Sequence, residues 1–295
     1  MTKEEFSRLA AQGPVLLDGA TGSNLRAVGM PVGVSSELWV LEHPQVLLDL
    51  QRAYAEAGSR IIMAPTFSAN RTGLKNFGLE ERLGELNAAL VSLSKEAAGG
   101  RALVAGDLST LGRPLEPVGD MPYSDTYDTY REQMEALGSA GADLFALETL
   151  MGAEEAVAAL DAAADFGLPV MVSFSVEADG SLLFGGNVWE TAVMLQEMGA
   201  AAVGVNCSVG PDQLESVVRA IRAAVEIPVI AKPNAGLPVM DEHGQAHYSM
   251  GPEDFARHMD ALVKAGAGIV GGCCGTTPAY VRQLAKVLGR QLVSD

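Results

Sequence analysis

Short apolar runs recur along the chain, each closed by a polar or glycine-rich break and followed by a stretch of helical length. The first, Val15-Leu16-Leu17, closes on Asp18-Gly19-Ala20-Thr21-Gly22-Ser23, and a helix is predicted over about 43–57, with Pro44 near its start and Gly58 just past its end. Ile61-Ile62-Met63-Ala64 precedes a helix over about 79–98, and Ala102-Leu103-Val104-Ala105, closed by Gly106-Asp107, precedes one over about 124–140. Leu144-Phe145-Ala146-Leu147, closed by Glu148-Thr149, leads to a helix over about 153–166, and the run 169–174 to one over about 189–198. Val203-Gly204-Val205-Asn206 ends at Cys207, before a helix over about 211–225. Pro228-Val229-Ile230-Ala231-Lys232, closed by Pro233-Asn234-Ala235-Gly236, precedes a helix over about 252–265. The eighth run, Gly268-Ile269-Val270, reaches Cys273-Cys274 through two glycines, and Thr277 is the expected N-cap of a last helix with Pro278 at its first position. Two excursions have hairpin character: 177–181, which carries an Asp-Gly turn, and 241–248.

Eight strand–helix units predict an α/β fold, a single (β/α)8 TIM barrel forming one domain over residues 1–295. The runs are apolar throughout, as parallel strands covered on both faces are. An open doubly wound sheet fits less well, because no Gly-x-Gly-x-x-Gly loop follows the first run and polar residues stand at nearly every strand end.

Composition narrows the setting. A net charge of −17 argues against nucleic acid and anionic membranes as partners. No stretch approaches the roughly 18 apolar residues of a membrane span, and the N-terminal residues lack an apolar signal core. Three cysteines, two of them adjacent, do not make a disulfide scaffold. A reducing cytoplasm is the expected location, where free thiols serve metals or catalysis.

In such barrels chemistry sits at the C-terminal ends of the strands. Those ends carry Asp18, Thr66, Asp107, Glu148, Ser175, Cys207, Asn234 and Cys273-Cys274. Cys207 closes the sixth run and Cys273 the eighth, and alternate strands feed the same interior layer. Cys274 must leave strand geometry to join them, with Gly271, Gly272 and Gly275 supplying backbone freedom. Three thiolates so placed would hold Zn2+ with its fourth position open, as a catalytic zinc requires. Buried inert cysteines are the plain alternative, disfavoured by the arrangement of all three beside glycines. None of the histidines, at 43, 243, 247 and 258, falls where a ligand is needed. A thiol substrate in the open position would lose its proton near neutral pH and, beside three thiolates, stay electron-rich enough to attack an alkyl group. Asp18 and Glu148 are candidates to hold a substrate ammonium, and the amides of Gly19, Ala20, Thr21 and Gly22 a carboxylate; Asp18-Gly19 alone reads equally as a turn. Asn206 and Asn234 are read either as substrate contacts or as caps of their strand ends.

With these residues in place the chain resembles the homocysteine S-methyltransferase family, and within it the homocysteine-binding barrel of cobalamin-dependent methionine synthase. The likeness runs in order through 17–23, 66–71, Leu147-Glu148-Thr149, 204–208, 232–236 and 271–278. It implies zinc on Cys207, Cys273 and Cys274, homocysteine bound through its sulfur, and Asp18, the backbone after it and Glu148 holding the amino-acid end; the product would be methionine. Two departures stand out: Pro65 where the family usually has Asn, and no counterpart of the folate, cobalamin and activation modules of the full synthase. The resemblance therefore leads us to expect a methyl group from a separate corrinoid protein carrying methylcobalamin. The alternatives are a stand-alone enzyme using S-methylmethionine or betaine, and a non-catalytic zinc and thiol-amino-acid binding module. Gly275 matches the cobalamin-dependent and betaine branches, where the S-methylmethionine branch tends to carry Arg.

Overall fold

Every apolar run supplies a strand of one parallel sheet in the computed structural model, which describes residues 1–240 and 246–289. The strands are β1 (Val15–Leu16), β2 (Ile61–Met63), β3 (Leu103–Ser109), β4 (Leu144–Leu150), β5 (Val170–Phe174), β6 (Ala202–Asn206), β7 (Val229–Lys232), β8 (Pro238–Met240), β9 (Ala246–Tyr248) and β10 (Ala267–Val270). Eight of them pair in the order β1-β10-β7-β6-β5-β4-β3-β2, and a parallel bridge between Leu17 and Ile61 joins the first to the last. The ring is thereby closed into the expected (β/α)8 barrel. β8 and β9 stand apart as an antiparallel hairpin; the turn of this second predicted excursion lies outside the described residues. The first excursion also folds back, with an antiparallel bridge from Val176 to Leu182 and Glu177 N donating to Ser181 O at 3.0 Å.

The helices are α1 (Lys3–Ala11), α2 (Gly22–Ala27), α3 (Ser36–Glu42), α4 (Pro44–Glu56), α5 (Arg71–Lys75), α6 (Leu83–Ala98), α7 (Tyr123–Ser139), α8 (Ala153–Ala163), α9 (Val188–Glu197), α10 (Glu215–Ala224), α11 (Pro252–Lys264) and α12 (Pro278–Val287). Four of them, α1, α2, α3 and α5, were not expected from the pattern. The signal for α1 is a capping box: Thr2 Oγ1 accepts from Glu5 N, and the Glu5 carboxylate accepts from Thr2 N. Thr277 does stand at the N-cap of α12, but its side chain makes no capping bond. Among the described residues no helix is long and apolar enough to cross a membrane.

Inside the barrel the strands obey a period of two. One apolar cluster fills the interior and contains Leu17, Ile61, Met63, Ala105, Leu144, Ala146, Met171, Ala202, Ile230 and Ile269. Phe6 of α1 belongs to it and plugs the N-terminal end. The alternate residues Leu16, Ile62, Val104, Phe145, Leu147, Val172, Val203, Val205 and Ala231 join the second cluster, between strands and helices. Two residues beyond the interior apolar positions, in the same phase, stand Asp107, Glu148, Ser173 and Lys232, all buried; Asn206 follows Gly204 in that phase. The sheet register sets Asp107 beside Ala146, Ser109 beside Glu148 and Asn206 beside Lys232. An apolar plug is thus overlain by a polar layer, at the end where barrel chemistry occurs.

Candidate metal centre

The three thiols meet above this layer. Their Sγ atoms all lie within 4.8 Å of one another, and Cys207 Sγ is 3.6 Å from Cys274 Sγ. Tetrahedral zinc with Zn–S bonds of about 2.3 Å separates its sulfurs by about 3.8 Å, so the donor set fits such an ion with little movement. The strand ends do not deliver the thiols directly. Cys207 follows β6 by one residue with φ +47, whereas β10 stops at Val270 and Cys273 lies three residues further on, not at the strand end as expected.

The loop after β10 is sewn to its neighbours. Cys273 N donates to Pro233 O at 2.7 Å, Cys274 N to Asn234 Oδ1 at 3.1 Å, and Gly272 N to Asp18 O at 3.0 Å. Asn234 Nδ2 donates to Ser208 O at 2.9 Å, so this one side chain ties together the two loops that carry the cysteines. Gly275 adopts φ +81, and a Cβ there would run into the Tyr248 ring. Gly271 and Gly272 serve by close approach and not by unusual torsion: a Cβ on Gly271 would come within 2.7 Å of Leu17 Cβ, and one on Gly272 would strike the Thr276 side chain. Hydrogen bonds from Cys207 and Cys273 hold the Cys274 thiol far down, at about 3, while the Cys207 thiol is pushed up by the same shared bonds and by burial.

Beneath the thiols lie buried charges. Asp18 is 1% exposed; its Oδ2 accepts from Met63 N at 2.9 Å, and its Oδ1 is buried with no partner among the described residues. Burial pushes its carboxyl up to about 7, against the pull of Lys232. Glu148 Oε2 accepts from Lys232 Nζ at 3.0 Å. Burial raises the Glu148 carboxyl and Lys232 lowers it. Lys232 is itself buried, which lowers its ammonium, but Glu148 and the surrounding acids carry it well above its ordinary value.

Both asparagines bind backbone. Asn206 Oδ1 accepts from Thr149 N at 2.7 Å and Ser173 Oγ at 2.9 Å, and its Nδ2 donates to Thr149 Oγ1 at 2.8 Å. Thr149 has φ +61, a rare torsion for a β-branched residue, and it adjoins Glu148. The two non-glycine residues of positive φ among those described, Thr149 and Cys207, therefore both stand at the barrel mouth.

The loop after Asp18 is joined to the thiol loop. Ala20 N donates to Thr276 Oγ1 at 3.1 Å, and Ala20 O accepts from Tyr54 OH at 2.8 Å and Asn24 Nδ2 at 2.7 Å. Of the amides expected to face a carboxylate, that of Ala20 is thus engaged, while those of Gly19 and Thr21 make no hydrogen bond among the described residues. His43 stacks on Trp39, and neither it nor His247 or His258 belongs to the thiol group; His243 lies outside the described residues.

Lys232, Asn24, Tyr54 and Thr276 escaped selection from sequence. Lys232 had a signal, since a lysine closing an apolar strand in the phase of the barrel interior needs a buried anion. The contacts of Asn24 and Tyr54 with Thr276 span more than 200 positions and carry no local signature.

Methionine synthase of Mycobacterium tuberculosis is 29% identical over 290 residues, covering 92% of this chain. The chain spans about a quarter of the length of the curated relatives it matches, 24% for this one and 25% for the methionine synthase of Mycobacterium leprae. The homocysteine methyltransferase MmuM from Escherichia coli, in its metallated form, superposes with a TM-score of 0.80 at 25% identity, covering 95% of this chain and 98% of that one. The carboxyl transferase domain of Rhizobium etli pyruvate carboxylase shares the fold alone, with a TM-score of 0.55 at 15% identity. The family model for homocysteine S-methyltransferase matches residues 15–288, and the chain belongs to that family.

Proposed function

We propose that this barrel binds zinc through Cys207, Cys273 and Cys274 and transfers a methyl group to the sulfur of homocysteine, giving methionine. The observation that carries the reading is the meeting of three Sγ atoms within 4.8 Å directly above a buried acidic layer. Zinc held there would accept the substrate sulfur in its open position and favour its thiolate at neutral pH. Glu148 Oε1, left free while Oε2 holds Lys232, and Asp18 Oδ1 receive the substrate ammonium. The Gly19 and Thr21 amides receive its carboxylate. Asn206 fixes the Thr149 backbone and with it the direction of Glu148, and Asn234 fixes the cysteine loops. In the transfer the donor–CH3 bond breaks, an S–CH3 bond forms and the thiol proton passes to solvent. The setting we infer for these free thiols is the reducing cytoplasm.

For the donor we infer a separate methyl-corrinoid protein, supported by the methionine synthase relatives. A small-molecule donor such as S-methylmethionine or betaine is the second reading, favoured by the match to MmuM over 98% of its chain. The test is methionine formation from homocysteine by the zinc-loaded protein, with methylcobalamin, S-methylmethionine or betaine. Turnover on methylcobalamin alone supports the corrinoid reading, and turnover on S-methylmethionine or betaine alone replaces it with the second. Homocysteine binding without turnover on any of the three would make the barrel a binding module.

A further inference from the structure

Four ionisable side chains lie buried beneath the thiols: Asp18, Asp107, Glu148 and Lys232. Three of them are engaged: Asp18 with the Met63 amide, and Glu148 and Lys232 with each other. Asp107 Oδ1 is fully buried and has no hydrogen-bond partner among the described residues. It is nevertheless held firmly. Thr66 Oγ1 donates to Asp107 O at 2.8 Å and accepts from Asp107 N at 3.1 Å, fixing its backbone within β3. Its phase is that of Ala105, so the carboxyl projects into the barrel, and its register beside Ala146 sets it one level beneath Glu148. It lies within electrostatic reach of Glu148, Lys232 and Asp18.

Three carboxyls thus share one ammonium, and Lys232 already gives its closest contact to Glu148. A buried carboxyl without a partner destabilises the fold, and the two neighbouring acids increase the penalty. A second cation within the layer would relieve both. We propose that Asp107 is a third carboxylate of the subsite for the substrate ammonium, and that it sets the preference for amino-acid thiols over thiols without an amine. The inference rests on the amino-acid thiol reading above and adds to it a residue one level below Glu148.

The experiment is calorimetric titration of the zinc-loaded protein with homocysteine and with its deamino analogue, 4-mercaptobutanoic acid, in wild type and Asp107→Asn. Loss of one charge-assisted hydrogen bond should reduce the preference for homocysteine by about tenfold or more. Affinity for the deamino thiol and zinc content should stay as in wild type. The melting temperature of Asp107→Asn should not fall, because the amide removes an unpartnered buried acid. If the amide perturbs the fold, the smaller Asp107→Ser is read in the same titration. A wild-type preference carried unchanged into both variants overturns the inference alone. Wild-type protein that binds both thiols equally overturns the amino-acid thiol reading and the inference with it.

Discussion

Lys232 Nζ lies 3.0 Å from Glu148 Oε2, linking the ends of β7 and β4 across the barrel mouth, with both side chains almost fully buried. The pair is the only cation–anion contact within the acidic layer among the described residues, so its loss leaves the acids facing one another. Lys232→Met should cost about 3–5 kcal/mol, the range for breaking a buried pair by removing one partner. Adding Glu148→Gln should restore part of that loss, because one of the stranded carboxyls is then removed. Urea unfolding of wild type and the two variants measures both effects; a single-variant loss under about 1 kcal/mol would show that the pair contributes no more than a surface one.

Cys207 reaches the other thiols only by adopting φ +47, and its sulfur is one of three donors. Cys207→Ser should lower zinc affinity by more than the about 10–100-fold typical of losing an outer partner of a ligand. After dialysis against a mild chelator, wild type should keep close to one zinc per chain by elemental analysis and the variant almost none. A full equivalent retained by the variant would remove Cys207 from the ligand set.

Asn206→Ala leaves the Thr149 amide and the Ser173 hydroxyl without their acceptor in a buried setting. A loss of about 2–3 kcal/mol is expected. Thr149 should relax from its positive φ and carry Glu148 with it. KM for homocysteine should therefore rise while zinc content stays constant. Equal KM in variant and wild type would separate the Asn206 network from substrate positioning.

Asp18 gives a pH dependence of definite sign. Burial raises its carboxyl from 3.8 to about 7 in the folded protein, so the folded state binds this proton more tightly than the unfolded chain. The stability it contributes is complete below 3.8 and is lost as pH rises towards about 7. Asp18→Asn should remove this component, and the wild-type minus variant difference should fall between pH 5.5 and 7.5 and level off above. Unfolding free energies of the zinc-loaded proteins across that window provide the check; a difference that is flat or rises with pH contradicts the buried protonated carboxyl.

Much of this architecture is legible along the chain. Runs such as Val170–Phe174 are buried at every position, and only a strand covered on both faces uses such a run. Reading the cysteines as one group was possible because the sixth and eighth apolar runs, β6 and β10, were expected to feed the same interior layer; all three thiols lie just past those strands. What the runs conceal is which face is which. Val203 and Ala202 are both apolar, yet one packs against helices and the other fills the barrel. An uninterrupted apolar run therefore hides the phase that places Asp107, Glu148 and Lys232 on one inner surface.

The sequence by itself determined the eight strand–helix repeats and singled out the three cysteines that the structure brings together. Each of these depends on local pattern or on residue type. Only the tertiary structure decided that Lys232 pairs with Glu148, 84 positions away, that Asp107 Oδ1 is buried without a partner among the described residues, and that Thr276 joins the Asp18 loop to the thiol loop. Those relationships arise when the sheet closes through Leu17 and Ile61, because closure brings distant strand ends within hydrogen-bond reach and excludes the water that would otherwise solvate their charges.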